Sequence, residues 1–425
     1  MLVFVLVATA VAVEHPYENE PVIRSDGLGY HAWTRALLDG NVSFCDHQEL
    51  QTVGATTRVR STGRCPNKYA PGLAILRFPV MAPITARNGG VLRSAAEDRA
   101  SEVLSILAGA LALAVTLLSA RWLHVRRWLA NAAALAVAFG TGLFHYATFD
   151  GSFTHVYSAA VVALLLALGV RLLLANDDDA ERIAATRVRD GAATFVLAVT
   201  LVSIRVPSVL VLGTLAVAAG VIVRRDRPEL RPRLVAMYAG AGAAIAVVVA
   251  GLLVHNRYMR GVWSVSSYAG EDFHLDQLKQ LDVLGGFHKG LVTWYPIVVV
   301  VIVAAVLARA WSGLALLAGL VLPLATLYGA WHAWDLGGGF GHRGFVELAP
   351  AFALVFAVAL ERLAGGVRTG VLVGGALAVM MALGLLAAYW NGEASFYGIA
   401  GGEWVRFTVG ERSFPVVVSD WISGR

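Results

Sequence analysis

Few residues in this chain are chemically versatile, and they cluster in short motifs rich in glycine and aromatic side chains. Asp26 stands in RSDGLGYHAWTRALLDG, residues 24 to 40, where Gly27 and Gly29 leave the backbone free and Tyr30 and Trp33 suit the level of lipid headgroups. Taken alone, a Ser-Asp-Gly turn before a helix reads first as an N-cap. Asp150 and His155 fall in HYATFDGSFTHVYS, residues 145 to 158. There Asp150 suits a turn, while His155 opens an apolar run and needs a partner, either Asp150 or a ligand. Arg205, in SIRVPS, either reaches to headgroups or holds an anion inside the protein. GGFHKGLVTWYP carries His288 and Lys289. WHAWDLGGGFGHRGFVELAP, residues 331 to 350, carries Trp331, Trp334, a glycine run, His342 and Arg343. A guanidinium beside a helix start suits a phosphate. The alternative is that Arg343 pairs with Glu347 four residues on.

The elements that must position these residues are membrane spans. The chain has 425 residues, of which 57% are hydrophobic and 15% charged, with a mean hydropathy of +0.66; soluble domains carry about 25% charge. The net charge of +5 comes with no basic stripe interleaved with aromatics, which argues against a nucleic-acid partner. Apolar runs at residues 1 to 13, 101 to 120, 128 to 147, 155 to 174, 191 to 206, 208 to 223, 234 to 255, 292 to 308, 312 to 331, 345 to 361 and 370 to 390 predict an all-α integral membrane protein of about 11 transmembrane helices.

Orientation follows from arginine placement. One set of short loops holds Arg121, Arg126, Arg127, Arg171, Arg182, Arg187, Arg189, Arg224, Arg225, Arg227, Arg231, Arg233, Arg309, Arg362 and Arg368, and so faces the cytoplasm. Short loops on the other side hold only Arg205 and Arg343. Two long segments, 14 to 100 and 256 to 291, join them there, as does a short tail, 391 to 425. Residues 1 to 390 thus form one polytopic domain whose candidate site residues all lie on its non-cytoplasmic face. The first run is short for a span, and a signal peptide is its alternative reading. Residues 30 to 38 are expected as a short surface helix, and the proline-broken stretch 67 to 83 as a re-entrant or interfacial hairpin. Cys45 and Cys65, the two cysteines of the chain, both fall in the first outer segment and read as one disulfide rather than a metal site.

In their order along the chain, SDGLGY, NKYAPGLAILRFPVMAP, FDGSFTHVYS, IRVPS, GLVTWYP and GGGFGHRGFVELAP resemble the GT-C class of integral membrane glycosyltransferases. The likeness is to the bacterial polyprenyl-phosphate-sugar-dependent members related to the protein mannosyltransferase-like group, and it covers nearly the whole chain. It implies a GT-C-like fold with a long first outer loop, working in the cytoplasmic membrane with its site on the periplasmic or extracellular side. It also implies a polyprenyl-phosphate sugar donor, a glycan, lipid or protein acceptor, and membrane lipid around the donor's tail. The resemblance maps the catalytic carboxylate onto Asp26. Many members carry two adjacent acids at that point, whereas Gly27 follows here, so Asp150 is the candidate for a second carboxylate. A carboxylate suits a general base that takes the acceptor's proton. The donor's phosphate charge would be met by Arg205, His288, Lys289, His342 or Arg343, with Tyr30, His155, Trp331 and Trp334 lining the site. No cofactor is implied with certainty, and a divalent metal ion stays open. A transporter or lipid flippase is the competing class, although neither internal repeats nor matching interrupted helices are visible.

Overall fold

The computed structural model describes residues 1–14, 21–174, 180–268 and 271–423, and within them every regular element is helical. Two isolated β-bridges, Thr56 with Asn67 and Phe273 with Trp331, pin loops rather than build a sheet. The chain opens with α1 (Leu2–Glu14) and then packs three helices into its first long loop: α2 (Ser25–Asp39), α3 (Gln48–Thr52) and α4 (Gly72–Thr85). There follow α5 (Ala95–Trp122), α6 (Arg127–Gly140), α7 (Leu143–Thr148), α8 (His155–Leu173), α9 (Ala180–Ile204), α10 (Val209–Asp226) and α11 (Arg231–Arg260). Beyond the second long loop, with its short α12 (Gln280–Gly285), come α13 (Leu291–Trp294), α14 (Ile297–Leu307), α15 (Trp311–Ala330), α16 (Ala349–Arg362) and α17 (Gly365–Trp390). The tail folds back as α18 (Gly401–Thr408) and α19 (Phe414–Ser423) against α17.

Among the described residues, seven helical segments are long and apolar enough to cross a membrane. They are α5, α8, Val206–Asp226 with α10, Pro228–Arg260 with α11, α15, Arg343–Arg362 with α16, and α17. The expected span at 128 to 147 is divided: α6 stops where the Thr141 hydroxyl bonds back to Val137 O (2.7 Å), and α7 resumes two residues later. The span expected at 292 to 308 is likewise broken at Pro296, which lacks the N–H a continuous helix needs. Of the span expected at 191 to 206, residues 191 to 204 fall in the longer α9, and α1 is a 13-residue apolar helix. The stretch 67 to 83 is not a hairpin, because a single helix, α4, runs through Pro79 and Pro83.

The centre of the bundle is α16, apolar on all sides and buried on all sides, as a helix without a polar face must be. α11 lies at the periphery and packs mainly on α9, where a Cβ added at Gly240 would stand 2.3 Å from Gly191 O. Small residues at that crossing let two backbones meet, and a buried pair, Asp190 with Arg233 (2.9 Å), locks it.

The first loop has a small core of its own, built from Ile23, Leu28, Trp33, Phe44, Leu50 and Met81. Trp33 Nε1 donates to Tyr69 O (2.8 Å), and Asn67 Nδ2 donates to Gly29 O (2.7 Å), which clasps α2 against the segment leading into α4. Ser94 caps α5 by accepting from Glu97 N, while the Glu97 carboxylate takes His31 (3.1 Å), Ser94 (3.0 Å), Thr85 and Asn88. A disulfide joins Cys45 to Cys65. Closing a loop of this length contributes about 3 kcal/mol. Protein purified without reductant should therefore resist thiol alkylation until reduced and then take two labels, and Cys45→Ser should lower the yield of folded protein. Two free thiols before reduction would remove the bridge from the account.

Candidate functional site

The end of the bundle on which the first loop sits gathers the polar residues singled out in the sequence. Asp26 lies inside the first turn of α2 rather than capping it, since the N-cap position belongs to Arg24. Its two carboxylate oxygens are held differently: Oδ1 accepts from the Tyr69 hydroxyl (2.7 Å), and Oδ2 meets the Arg343 guanidinium (2.8 Å). Arg343 also donates to Leu336 O (2.6 Å) and stands 5.4 Å over the Phe153 ring. Ser25 (φ 46°) and Leu336 (φ 60°) both adopt left-handed backbone. Each costs a non-glycine residue on the order of 1 kcal/mol, and the two flank this ion pair from opposite ends of the chain. Gly27 and Gly29 are needed on packing grounds: an added Cβ would stand 1.8 Å from Ser152 Oγ at the first and 2.2 Å from the Tyr69 ring at the second.

Arg343 and Glu347 do not pair. Residues Arg343–Leu348 form a 3-10 turn, in which side chains four apart do not stack as they do on an α-helix. Glu347 is taken instead by Ser208 Oγ (2.7 Å) and Arg205 (3.5 Å). Arg205 is buried, donating to His155 Nδ1 (3.1 Å) and the Tyr328 hydroxyl (2.9 Å), so it does not reach outward to headgroups. Nor do Asp150 and His155 pair with each other. Asp150 accepts from His145 Nε2 (2.9 Å) and Arg24 (3.0 Å). His145 Nδ1 accepts from Trp390 Nε1 (2.9 Å), a group that only donates, so the His145 proton sits on Nε2 toward Asp150. Burial opposes the Asp150 charge, yet His145 and Arg24 outweigh it and hold the carboxyl below the usual range.

His288 pairs with Asp335 (3.3 Å) and remains half exposed, whereas Lys289 is fully buried and donates to Gly337 O. His342 Nε2 donates to Trp334 O (3.0 Å), and burial depresses its pKa to about 3, which leaves a neutral ring with no cation to offer a phosphate. Gly339 and Gly341, of the glycine-rich stretch before His342, face tyrosines. A Cβ at Gly339 would stand 2.8 Å from the Tyr146 hydroxyl and one at Gly341 would stand 2.7 Å from that of Tyr295. Both hydroxyls donate to Phe340 O.

Around Asp26 the aromatic rings form a continuous set. Tyr30 and Tyr69 approach to 4.7 Å, Tyr69 and Tyr268 to 6.4 Å, and Tyr268 and Trp331 to 5.7 Å. Burial and the nearby Asp26 charge raise Tyr30 to about 12, so both hydroxyls beside Asp26 keep their protons as donors. Lys68, paired with Glu271 (3.3 Å), ties this wall to the second long loop. The structure thus brings Asp26, Tyr30, Arg205, His155, His342 and Arg343 into one neighbourhood, with Trp331, Trp334, His288 and Lys289 at its rim. Asp150 sits one link away through Arg24. Sequence reasoning missed Tyr69, Arg24, His145 and Tyr328, whose roles depend on partners over forty residues distant in each case except His145. For His145 the signal was its place at the head of HYATFDG.

Among the described residues, no three His, Cys, Asp or Glu side chains converge as metal ligands would. A groove lined by Arg187, Arg231, Val235 and Ala239 lies at the opposite end of α9. It is roughly 27 Å from Arg205 by helical rise and offers neither base nor nucleophile. Comparison of the chain with protein-family profiles, with curated proteins and with solved structures finds no match.

Lys289 yields a pH prediction. Burial, with the nearby Arg343 charge, lowers its pKa to about 7, while the unfolded chain holds that proton until about 10.4. Between these values the unfolded state binds more protons, so stability should rise with pH across the window. Lys289→Met should remove that dependence: relative to the wild type it should fare better at pH 6.5 than at pH 9.5, measured as thermal midpoints in detergent. An equal difference at both pH values would contradict the assignment.

Proposed function

We propose that this chain is a membrane glycosyltransferase that takes a sugar from a polyprenyl-phosphate carrier and passes it to a hydroxyl of a cell-envelope glycan, lipid or protein. The observation that carries the reading is the setting of Asp26: a carboxylate at the loop-covered end of an apolar bundle, held by one phenol and one guanidinium, beside a wall of aromatic rings. The scarcity of arginine in the loops at that end supports an outward orientation in the cytoplasmic membrane. The resemblance of the ordered motifs to GT-C glycosyltransferases supports the same activity.

In this account the flat faces of Tyr30, Tyr69, Tyr268 and Trp331 receive the sugar, as aromatic surfaces do in sites that bind amphipathic rings. Each Asp26 oxygen accepts one partner and retains a lone pair. The acceptor hydroxyl gives its proton to that carboxylate as its oxygen bonds to the anomeric carbon. The bond from that carbon to the phosphate oxygen breaks, and the electron pair leaves with the polyprenyl phosphate. Arg343, 2.8 Å from Asp26, is the cation beside the developing charge. Asp150 has a different task, to seat Arg24 and His145 and so fix the start of α2.

Asp26→Asn keeps the size and loses the base. Transfer from a polyprenyl-phosphate sugar in isolated membranes, counted per folded molecule, should fall by about 10²- to 10⁴-fold. Asp150→Asn should chiefly lower abundance, since it leaves Arg24 with a weaker partner in a buried setting. Near-normal transfer by Asp26→Asn would remove carboxylate catalysis at this position.

A further inference from the structure

Four basic side chains are buried among the described residues: Arg77, Arg205, Arg233 and Lys289. Arg205 is held by Glu347, Tyr328 and His155, Arg233 by Asp190, and Lys289 by Gly337 O. Arg77 differs. It is 3% exposed, its Nε and Nη2 have no hydrogen-bond partner, and its guanidinium stands 5.8 Å from the centre of the Tyr157 ring. Glu97, the carboxylate of that region, is committed to His31, Thr85, Asn88 and Ser94. A guanidinium stays charged, and holding two of its three nitrogens buried without a partner is costly.

Its surroundings indicate what completes it. α4 lies across the end of the bundle, with Gly72 pressed on the Ser203 and Ile204 backbone at one end and Thr85 bonded to Glu97 at the other. Arg77 points inward from its middle toward Tyr157, in the first turn of α8, while Ile75, Leu76 and Val80 of the same helix are exposed. Tyr69, three residues before α4, holds Asp26. Arg77 is five residues past Gly72, about 7.5 Å along the helix. A buried cation, an apolar exposed face on the same helix and a carboxylate near that helix's start together fit an anion carried on a hydrocarbon chain.

We infer that Arg77 binds the phosphate of a prenyl-phosphate lipid whose tail lies along the exposed face of α4. The inference rests on the proposed donor class and adds a phosphate-binding residue outside the set Arg205, His288, Lys289, His342 and Arg343. Arg205 and Arg343 are already neutralised by Glu347 and Asp26, so Arg77 is the buried cation with capacity to spare.

The test uses the full-length protein in uncharged detergent, with farnesyl phosphate as probe and farnesol, inorganic phosphate and phosphatidylglycerol as comparisons, reading both affinity and thermal midpoint. Farnesyl phosphate should bind the wild type, and the uncharged alcohol and inorganic phosphate should bind far more weakly. Arg77→Met should weaken farnesyl phosphate by about tenfold or more, and Arg77→Lys should recover part of that loss. With no ligand, Arg77→Met should melt no lower than the wild type, because it removes an unpaired charge from a dry site. A lowered midpoint in the unliganded variant would make Arg77 a structural strut and overturn the proposal. Equal affinity in wild type and Arg77→Met would overturn the Arg77 assignment while leaving the donor class standing. Equal binding of inorganic phosphate, or of phosphatidylglycerol, would overturn the prenyl-lipid assignment. Failure of the wild type to bind farnesyl phosphate would remove this proposal and the donor class together.

Discussion

The ion pair between Asp26 and Arg343 joins the first long loop to the turn that leads into α16, and much of the structure's polar architecture follows the constraint behind it. In a bundle this apolar, a charge withdrawn from water must find a partner inside the protein. The partners here are remote in sequence: Arg24 with Asp150, His31 with Glu97, Arg205 with Glu347, and Asp26 with Arg343. Each pair fastens one segment to another that the apolar packing alone leaves unspecified, because lipid and helix surface are equally greasy. The first loop sits on the bundle by three of these contacts, and the glycines of α2 let it come close enough to make them. Ser25, next to Asp26, and Leu336, whose carbonyl accepts from Arg343, both adopt left-handed backbone.

That arrangement has a chemical consequence. The Asp26 carboxylate is held by a phenol that donates and a guanidinium that pairs with it, beside tyrosine hydroxyls that keep their protons and uncharged ring faces. Preorganised groups of this sort need little rearrangement when a reaction begins. Asp150 also has one partner on each oxygen, but its side chain is 3% exposed against 22% for Asp26, so it is set to anchor its neighbours rather than to meet an incoming hydroxyl.

Much of the site was legible in the sequence because its residue types are unusual for their surroundings. Asp26, Arg205, His342 and Arg343 were visible as polar residues at the ends of apolar runs, and Cys45 with Cys65 as an isolated pair. Pairing was not legible. Helical spacing suggests Arg343 with Glu347, but a 3-10 turn rotates them apart, and nothing local in the sequence points from residue 343 to residue 26. Span lengths were blurred for a related reason: hydropathy reads straight through the breaks at Thr141 and Pro296, where the backbone turns between short helices that are buried rather than continuous. Arg77 went unremarked inside an apolar stretch, since exposure and partnership are properties of the folded chain alone.

The central claim is that Asp26 and Arg343 act as a unit, and a double-mutant cycle on unfolding measures that directly. Asp26→Asn, Arg343→Gln and the combined variant would be compared with the wild type for stability in detergent. The account predicts a coupling of about 1–3 kcal/mol, the range for contacting residues in one charged network, with the double variant less damaged than the sum of the singles. Additivity within about 0.5 kcal/mol would contradict it, leaving the two residues as independent neighbours.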